Sequence, residues 1–126
     1  MLDAKKVILT LADNTTNTIT DSSRLSTEED YSAAIYSKED LIINGNGTLN
    51  VNAGYRNGIK STDDCIIVSG TLNITSTEDG IIGKDLCGVV AGDININAGS
   101  DGIKSTYDTD TTKGNVIIEG GNITIK

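Results

Sequence analysis

The phrase Asn57-Gly58-Ile59-Lys60-Ser61 returns as Asp79-Gly80-Ile81-Ile82-Gly83 and again as Asp101-Gly102-Ile103-Lys104-Ser105, the isoleucines falling 22 residues apart each time. A second phrase keeps step with it: Gly47-Thr48-Leu49-Asn50-Val51, Gly70-Thr71-Leu72-Asn73-Ile74, Gly92-Asp93-Ile94-Asn95-Ile96 and Gly121-Asn122-Ile123-Thr124-Ile125. A unit this short, with apolar and polar residues alternating, cannot bury its own apolar face until a neighbour stacks on it. The repeat therefore demands a solenoid.

Alternation assigns the inward side chains. Leu49, Leu72, Ile94 and Ile123 form one column, Val51, Ile74, Ile96 and Ile125 the next, and Ile43, Ile67, Val89 and Ile118 a third on another strand. Parallel strands stacked ~4.8 Å apart turn such columns into continuous aliphatic ladders. Gly45, Gly47, Gly70, Gly92, Gly120 and Gly121 mark one sharp bend, where positive φ is often needed, and Gly58, Gly80 and Gly102 mark another. Three strands and three corners fit a coil of 22–24 residues, so the expected fold is all-β: a parallel β-helix, right-handed as parallel crossovers usually are. Val7 to Leu11 and Thr18 to Thr20 read as two strands of an earlier coil. One domain over 1–126 is expected, with polar loop insertions at about 24–32 and 106–113.

Composition agrees and narrows the partners. The chain has no Pro, Phe, Trp or His, and a vocabulary of Ile, Val, Thr and Asn suits strands and turns. A formal net charge of −8, without a basic stripe, argues against nucleic acid and favours cations. Val7 to Ala12 is too short for the core of a secretory signal, and no run is long enough to span a membrane. The chain is expected to be a mature segment.

The run Ala34-Ile35-Tyr36-Ser37-Lys38-Glu39-Asp40-Leu41, the phrases above and Lys113-Gly114-Asn115-Val116-Ile117-Ile118-Glu119-Gly120-Gly121 together resemble the carbohydrate-binding β-helix family of clostridial and related bacterial cell-surface proteins. That family is similar in fold to family 9 polysaccharide lyases and carries calcium. The resemblance covers Val7 to Lys126. It implies the β-helix, an extracellular or cell-surface setting and glycan binding. The lyase relatives place an acid three residues beyond the Asp of the Asp-Gly corner, where this chain has Ile82 and Lys104, so a lyase calcium site is incomplete.

Acidic residues gather at two corners. Stacking puts Asp63 beside Asp85 with Glu39 below, and brings Asp64 and the loop residues Asp108 and Asp110 to the same side; Glu78, Asp79 and Asp101 share the other corner. Carboxylates one coil apart repel, and an oxygen-liganded cation relieves that; otherwise they are solvated surface. With the resemblance, calcium is the expected cofactor. Lys60 and Lys104 could act as bases in β-elimination beside calcium, but they are expected to pair with neighbouring acids, and no catalysis is expected.

Other columns have two readings each. Asn50, Asn73 and Asn95 stack outward, either as an amide ladder that stabilises the strands or as a flat face matching glycan hydroxyls. Tyr36 and Tyr55 are the aromatic candidates for glycan contact, although they lie away from that ladder. Ile42, Ile66 and Ile117 form an outward aliphatic stripe that either meets a partner or lies under a loop. Cys65 and Cys87 share an inward column; their spacing permits a disulfide, but the required dihedral is hard to reach from stacked positions, which favours free thiols.

The leading expectation is an extracellular, calcium-binding, non-catalytic β-helix that binds polysaccharide, plant cell-wall or pectin-like, with acidic glycans needing calcium as a bridge. The alternative is a structural subunit stacking end to end into a cell-surface fibre. It draws on strand edges at Ile8 and Ile123 and on the Ile42, Ile66, Ile117 stripe.

Overall fold

A computed structural model describes residues 5–21, 32–106 and 113–126. The central parts of both expected insertions, with Asp108 and Asp110, lie outside the described residues. The chain winds through successive coils of short strands. The first coil is β1 (Lys6–Leu11), β2 (Thr16–Asp21) and β3 (Ala33–Ser37); the second is β4 (Asp40–Gly45), β5 (Thr48–Ala53) and β6 (Asn57–Ser61). The third is β7 (Asp64–Ile67), β8 (Thr71–Ser76) and β9 (Ile81–Gly83); the fourth is β10 (Leu86–Val89), β11 (Asp93–Ala98) and β12 (Ile103–Lys104). A fifth adds β13 (Asn115–Ile118) and β14 (Asn122–Ile125).

Each strand pairs only with its counterparts one coil away. The first sheet runs β1-β4-β7-β10-β13, the second β2-β5-β8-β11-β14 and the third β3-β6-β9-β12. All pairings are parallel, in the register the repeats predict: Leu49 pairs with Leu72 and Leu72 with Ile94, Ile43 pairs with Ile67, and Ile59 with Ile81. The architecture is therefore a parallel β-helix of three sheets around one aliphatic column.

The core lies on the axis, where inward columns from all three sheets meet. Ile43, Val51, Ile59, Ile67, Leu72, Ile81 and Ile94 are fully buried. Each contributes about 1.5–3 kcal/mol by leaving water. In the fifth coil the same columns end on Ile118 and Ile125, which are 54% and 49% exposed because, among the described residues, no strand stacks beyond β13 and β14.

Two glycine columns shape the corners for different reasons. Between the first and second sheets, Gly45, Gly70, Gly92 and Gly121 have φ of 92°, 105°, 118° and 96°, which L side chains rarely adopt. Gly47 and Gly120, expected to share that role, do not have positive φ. Gly58, Gly80 and Gly102 are needed for space instead. A Cβ on Gly80 would lie 2.6 Å from both the Gly102 carbonyl oxygen and Ile96 Cγ2, so the side-chain-free backbone lets each coil settle on the next.

Steric fit along the axis can be measured at two glycines of one coil and its neighbour. Gly80→Ala should destabilise the fold by about 1–3 kcal/mol in urea unfolding. Gly88→Ala, whose Cβ would meet nothing nearer than Ile66 Cγ1 at 3.8 Å, should stay within about 0.5 kcal/mol of the parent. Equal effects at the two positions would show that the Gly58, Gly80, Gly102 column does not limit coil spacing.

Candidate functional site

The outer face of the second sheet is polar across its whole centre. Thr18, Asn50, Asn73, Asn95 and Thr124 stack in register on successive strands, flanked by Thr20, Asn52, Thr75 and Asn97. Asn73 Nδ2 donates to Asn50 Oδ1 at 2.9 Å, and Asn95 Nδ2 donates to Asn73 Oδ1 at 3.0 Å. All of these residues except Thr20 line a shallow groove of about 560 Å³. A primary amide carries two N–H donors and two acceptor lone pairs. Asn73 spends one of each on the ladder and keeps one of each for another partner. The face is thus both a stabilising ladder and an array that can exchange hydrogen bonds with hydroxyl groups.

The corner joining the third sheet to the first gathers acids. The Asp85 N–H donates to the Asp63 carbonyl at 3.0 Å, and the Asp64 N–H donates to Asp40 Oδ1 at 3.2 Å. Burial, then the charges of Asp85 and Asp40, push the Asp63 carboxyl above its ordinary range. Asp64 is raised by burial and then by Asp40 and Asp85. Lys113 offsets part of this repulsion, with Nζ 3.4 Å from Asp85 Oδ2. Asp40 is a member that sequence reasoning missed, although it stands directly before an inward leucine at the same place as Asp64. Among the described residues no three carboxylates converge as a ready-made metal cage.

The Asp-Gly corner is built differently. Asn57 Oδ1 accepts the Asp79 N–H at 3.0 Å, and Asp79 Oδ1 accepts the Asp101 N–H at 2.9 Å. One side chain per coil thus satisfies a backbone donor of the next coil. The cation at this corner is Lys104, whose Nζ lies 3.3 Å from Asp79 Oδ2 and 3.6 Å from Asp101 Oδ2. The hydrogen bond to Asp79 and its charge raise the Lys104 pKa. Asp79 is buried with both oxygens committed, which leaves a divalent ion little to coordinate. The sequence held the clue in Asn57: a position that accepts a neutral amide is serving as a hydrogen-bond acceptor.

The two lysines diverge. Lys104 pairs with acids as expected, but among the described residues Lys60 does not: its Nζ contacts Ser32 Oγ at 3.4 Å, and Asn57 and Ala33 stand where Lys104 has Asp101 and Asp79. Tyr36 pairs in register with Lys60 on the third sheet, and Tyr55 precedes Arg56, so both tyrosines lie off the second-sheet face. Arg56 Nε lies 3.2 Å from Glu78 Oε2.

On the first sheet the structure adds Ile8 to the outward stripe. Ile8 pairs with Ile42, Ile42 with Ile66, Ile66 with Gly88 and Gly88 with Ile117. Ile8 and Ile117 are 57% and 48% exposed, whereas Ile42 and Ile66 are half-buried. Ile123 belongs instead to the inward column above Ile94. Cys65 and Cys87 are buried free thiols on adjoining rungs. Their mutual hydrogen bond and burial push the Cys65 thiol up.

Comparison with known proteins fits this geometry. The sequence family described as carbohydrate-binding domain-containing proteins matches residues 1–126. A curated protein of that description from Acetivibrio thermocellus is 39% identical over 75 residues, which cover 56% of this chain and 26% of the relative. A solved polysaccharide lyase-like protein from C. thermocellum, a gadolinium derivative, superimposes with a TM-score of 0.89 at 37% identity, over 95% of this chain and 50% of its own. The chain thus spans about half of the solved relative and about a quarter of the curated one. With a family match along its full length and a fold shared with that relative, this chain belongs to the carbohydrate-binding domain-containing family.

Proposed function

We propose that this chain is a non-catalytic module that binds polysaccharide, plant cell-wall or pectin-like, along the outer face of its second sheet, outside the cell or on a bacterial surface. The observation that carries the reading is the Asn50, Asn73, Asn95 ladder lying in a groove. Its strands repeat every ~4.8 Å, close to the rise of one pyranose ring along an extended glycan, so successive sugars meet equivalent amides. Shallow, repeated and polar, such a face suits a long polymer better than a small molecule. Polymers of this kind lie outside cells, which supports the setting.

The non-catalytic reading is supported by the state of Lys104, although not by that of Lys60, whose pKa is lowered by burial. The chain has no His, and Lys104 is held by two carboxylates. A proton acceptor in β-elimination must be able to lose its own proton near neutral pH, and that pairing favours the charged ammonium.

Calcium belongs to the same proposal, at the corner formed by Asp63, Asp64 and Asp85. The Asp63 and Asp64 carboxyls are raised by burial and by the charges of their acidic neighbours, the condition that a hard cation relieves. The solved relative was obtained as a gadolinium derivative, and gadolinium likewise seeks oxygen ligands. The ion would serve stability, since the acids come from successive coils.

Affinity electrophoresis tests the glycan face. Asn73→Ala should lose most of the retardation that the parent shows in gels containing a neutral cell-wall glucan, while Ile66→Thr on the opposite sheet keeps it. Asn73→Ala also removes two ladder bonds, at about 1 kcal/mol each, so a melting curve must accompany it. A folded Asn73→Ala chain retarded like the parent would overturn the assignment of this face.

The acid corner is tested by pH and metal. A carboxyl raised in the fold favours the protonated folded state, so its contribution is full below about pH 4 and is lost as pH rises through the raised value. Asp64→Asn should therefore melt above the parent at pH 7 in chelator, with the difference closing towards pH 4. Calcium at 100 times Kd should add about 2.7 kcal/mol to the parent, and less to Asp64→Asn. Coincident parent melting curves with calcium and with chelator would remove calcium from the proposal.

A further inference from the structure

The outer face of the second sheet carries two polar rows that differ in what their side chains already do. The central row, Asn50, Asn73 and Asn95, is tied together by its own amides. Beside it, two residues further along each strand, Thr20 pairs in register with Asn52, Asn52 with Thr75 and Thr75 with Asn97. Asn52, Thr75 and Asn97 are exposed, and among the described residues none of their side chains hydrogen-bonds to protein. Their donors and acceptors face water, which the hydroxyls of a ligand can replace at little cost.

The flanking row also has a period that the central row lacks. Threonine and asparagine alternate from coil to coil, so Asn52 and Asn97 stand two coils apart, ~9.6 Å at the usual strand spacing. The row is a ridge between two hollows. The groove of about 560 Å³ takes in Asn52, Thr75 and Asn97 together with the ladder, and a second hollow of about 310 Å³, at the corner towards the third sheet, is lined in part by Thr20, Asn52 and Thr75. In a flat, ribbon-like glycan each ring is turned over relative to the last, so the same edge with its substituent returns to one side only at every second ring. That two-ring repeat is close in length to two coils.

We propose that Asn52, Thr75 and Asn97 fix the register and select the class of glycan on this face: a ribbon-like chain with a two-ring repeat, laid along the axis with alternate rings at the two amides. The proposal rests on the second-sheet reading above and adds the row that gives it specificity. The laddered asparagines form a floor that is alike at successive coils, so it accepts any ring. Asn52 and Asn97 each offer a whole amide, two N–H donors and two acceptor lone pairs, to the hydroxyls of equivalent rings. Thr75 has the shorter side chain and borders the second hollow, which leaves room for the substituent of the ring between them. A helical glycan, whose edges turn away from the axis from one ring to the next, can reach only one of the two amides.

Calorimetric titration of the whole chain with cellohexaose, a ribbon, and with laminarihexaose, a helix of the same neutral sugar, tests the assignment. The parent should bind cellohexaose about tenfold tighter, the size of one or two net hydrogen bonds. Combining Asn52→Ala with Asn97→Ala should bring the two affinities together while keeping the parent melting temperature, since neither side chain bonds to protein among the described residues. Equal affinities in the parent, a preference that survives in the double variant, or no binding of either oligosaccharide would each overturn the proposal. The second-sheet reading fails differently. A folded Asn73→Ala chain retarded like the parent by neutral glucan removes the whole face, whereas loss of retardation in Asn73→Ala beside a surviving preference in the double variant removes only the register row.

Discussion

Axial pairing of equivalent residues is the interaction on which everything else in this molecule depends. Each strand finds its hydrogen-bond partners one coil above and below, never along its own coil, so no coil is stable alone. The pairing extends from backbone to side chains. Asn57 and Asp79 each accept an N–H from the next coil, Ser61 Oγ donates to the Glu39 carbonyl at 2.8 Å, and the asparagines of the second sheet bond to one another. A repeat in sequence becomes a straight line of chemistry in space. The same geometry enforces close approach, which is why the Gly58, Gly80, Gly102 column has no room for side chains.

Because the lines are straight, each outer face acquires one character. The first sheet presents aliphatic residues from Ile8 to Ile117, the second amides and hydroxyls, and the third cations with tyrosine. Acids occupy the corners between them. Binding on such a scaffold needs no cleft, since a polymer laid along the axis meets the same group at every coil. Rigidity comes with this arrangement: the amides that would meet a glycan are already fixed by their neighbours, which lowers the entropy lost on binding.

The corners show how one residue type serves two purposes. Asp79 and Asp101 lie one coil apart, as do Asp63 and Asp85, yet only the second set is left in mutual repulsion. At the Asp-Gly corner a backbone N–H and the Lys104 ammonium absorb the charge of Asp79. At the other corner Asp63 and Asp64 are half-buried beside other acids, and Lys113, paired with Asp85, offsets part of the repulsion. Charge alone does not distinguish them; the donors around each carboxylate do.

The sequence by itself determined the coil length, the three-sheet parallel order, the inward columns and the outward asparagine ladder. These follow from a repeat whose period and alternation allow one register, because a slip by one residue would turn every Ile and Leu into solvent. It did not determine which ionisable groups pair. Lys60 and Lys104 occupy the same place in the repeat, yet Lys104 reaches Asp79 and Asp101 while Lys60, among the described residues, meets the Ser32 hydroxyl. Nor did it give the steric reason for the second glycine column, or the acceptor role of Asn57 and Asp79. Those outcomes depend on what lies one coil away at distances of a few ångströms, where small differences in side-chain reach decide hydrogen bonds and charge. The repeat sets the lattice of positions, and the tertiary structure decides which neighbours on that lattice touch.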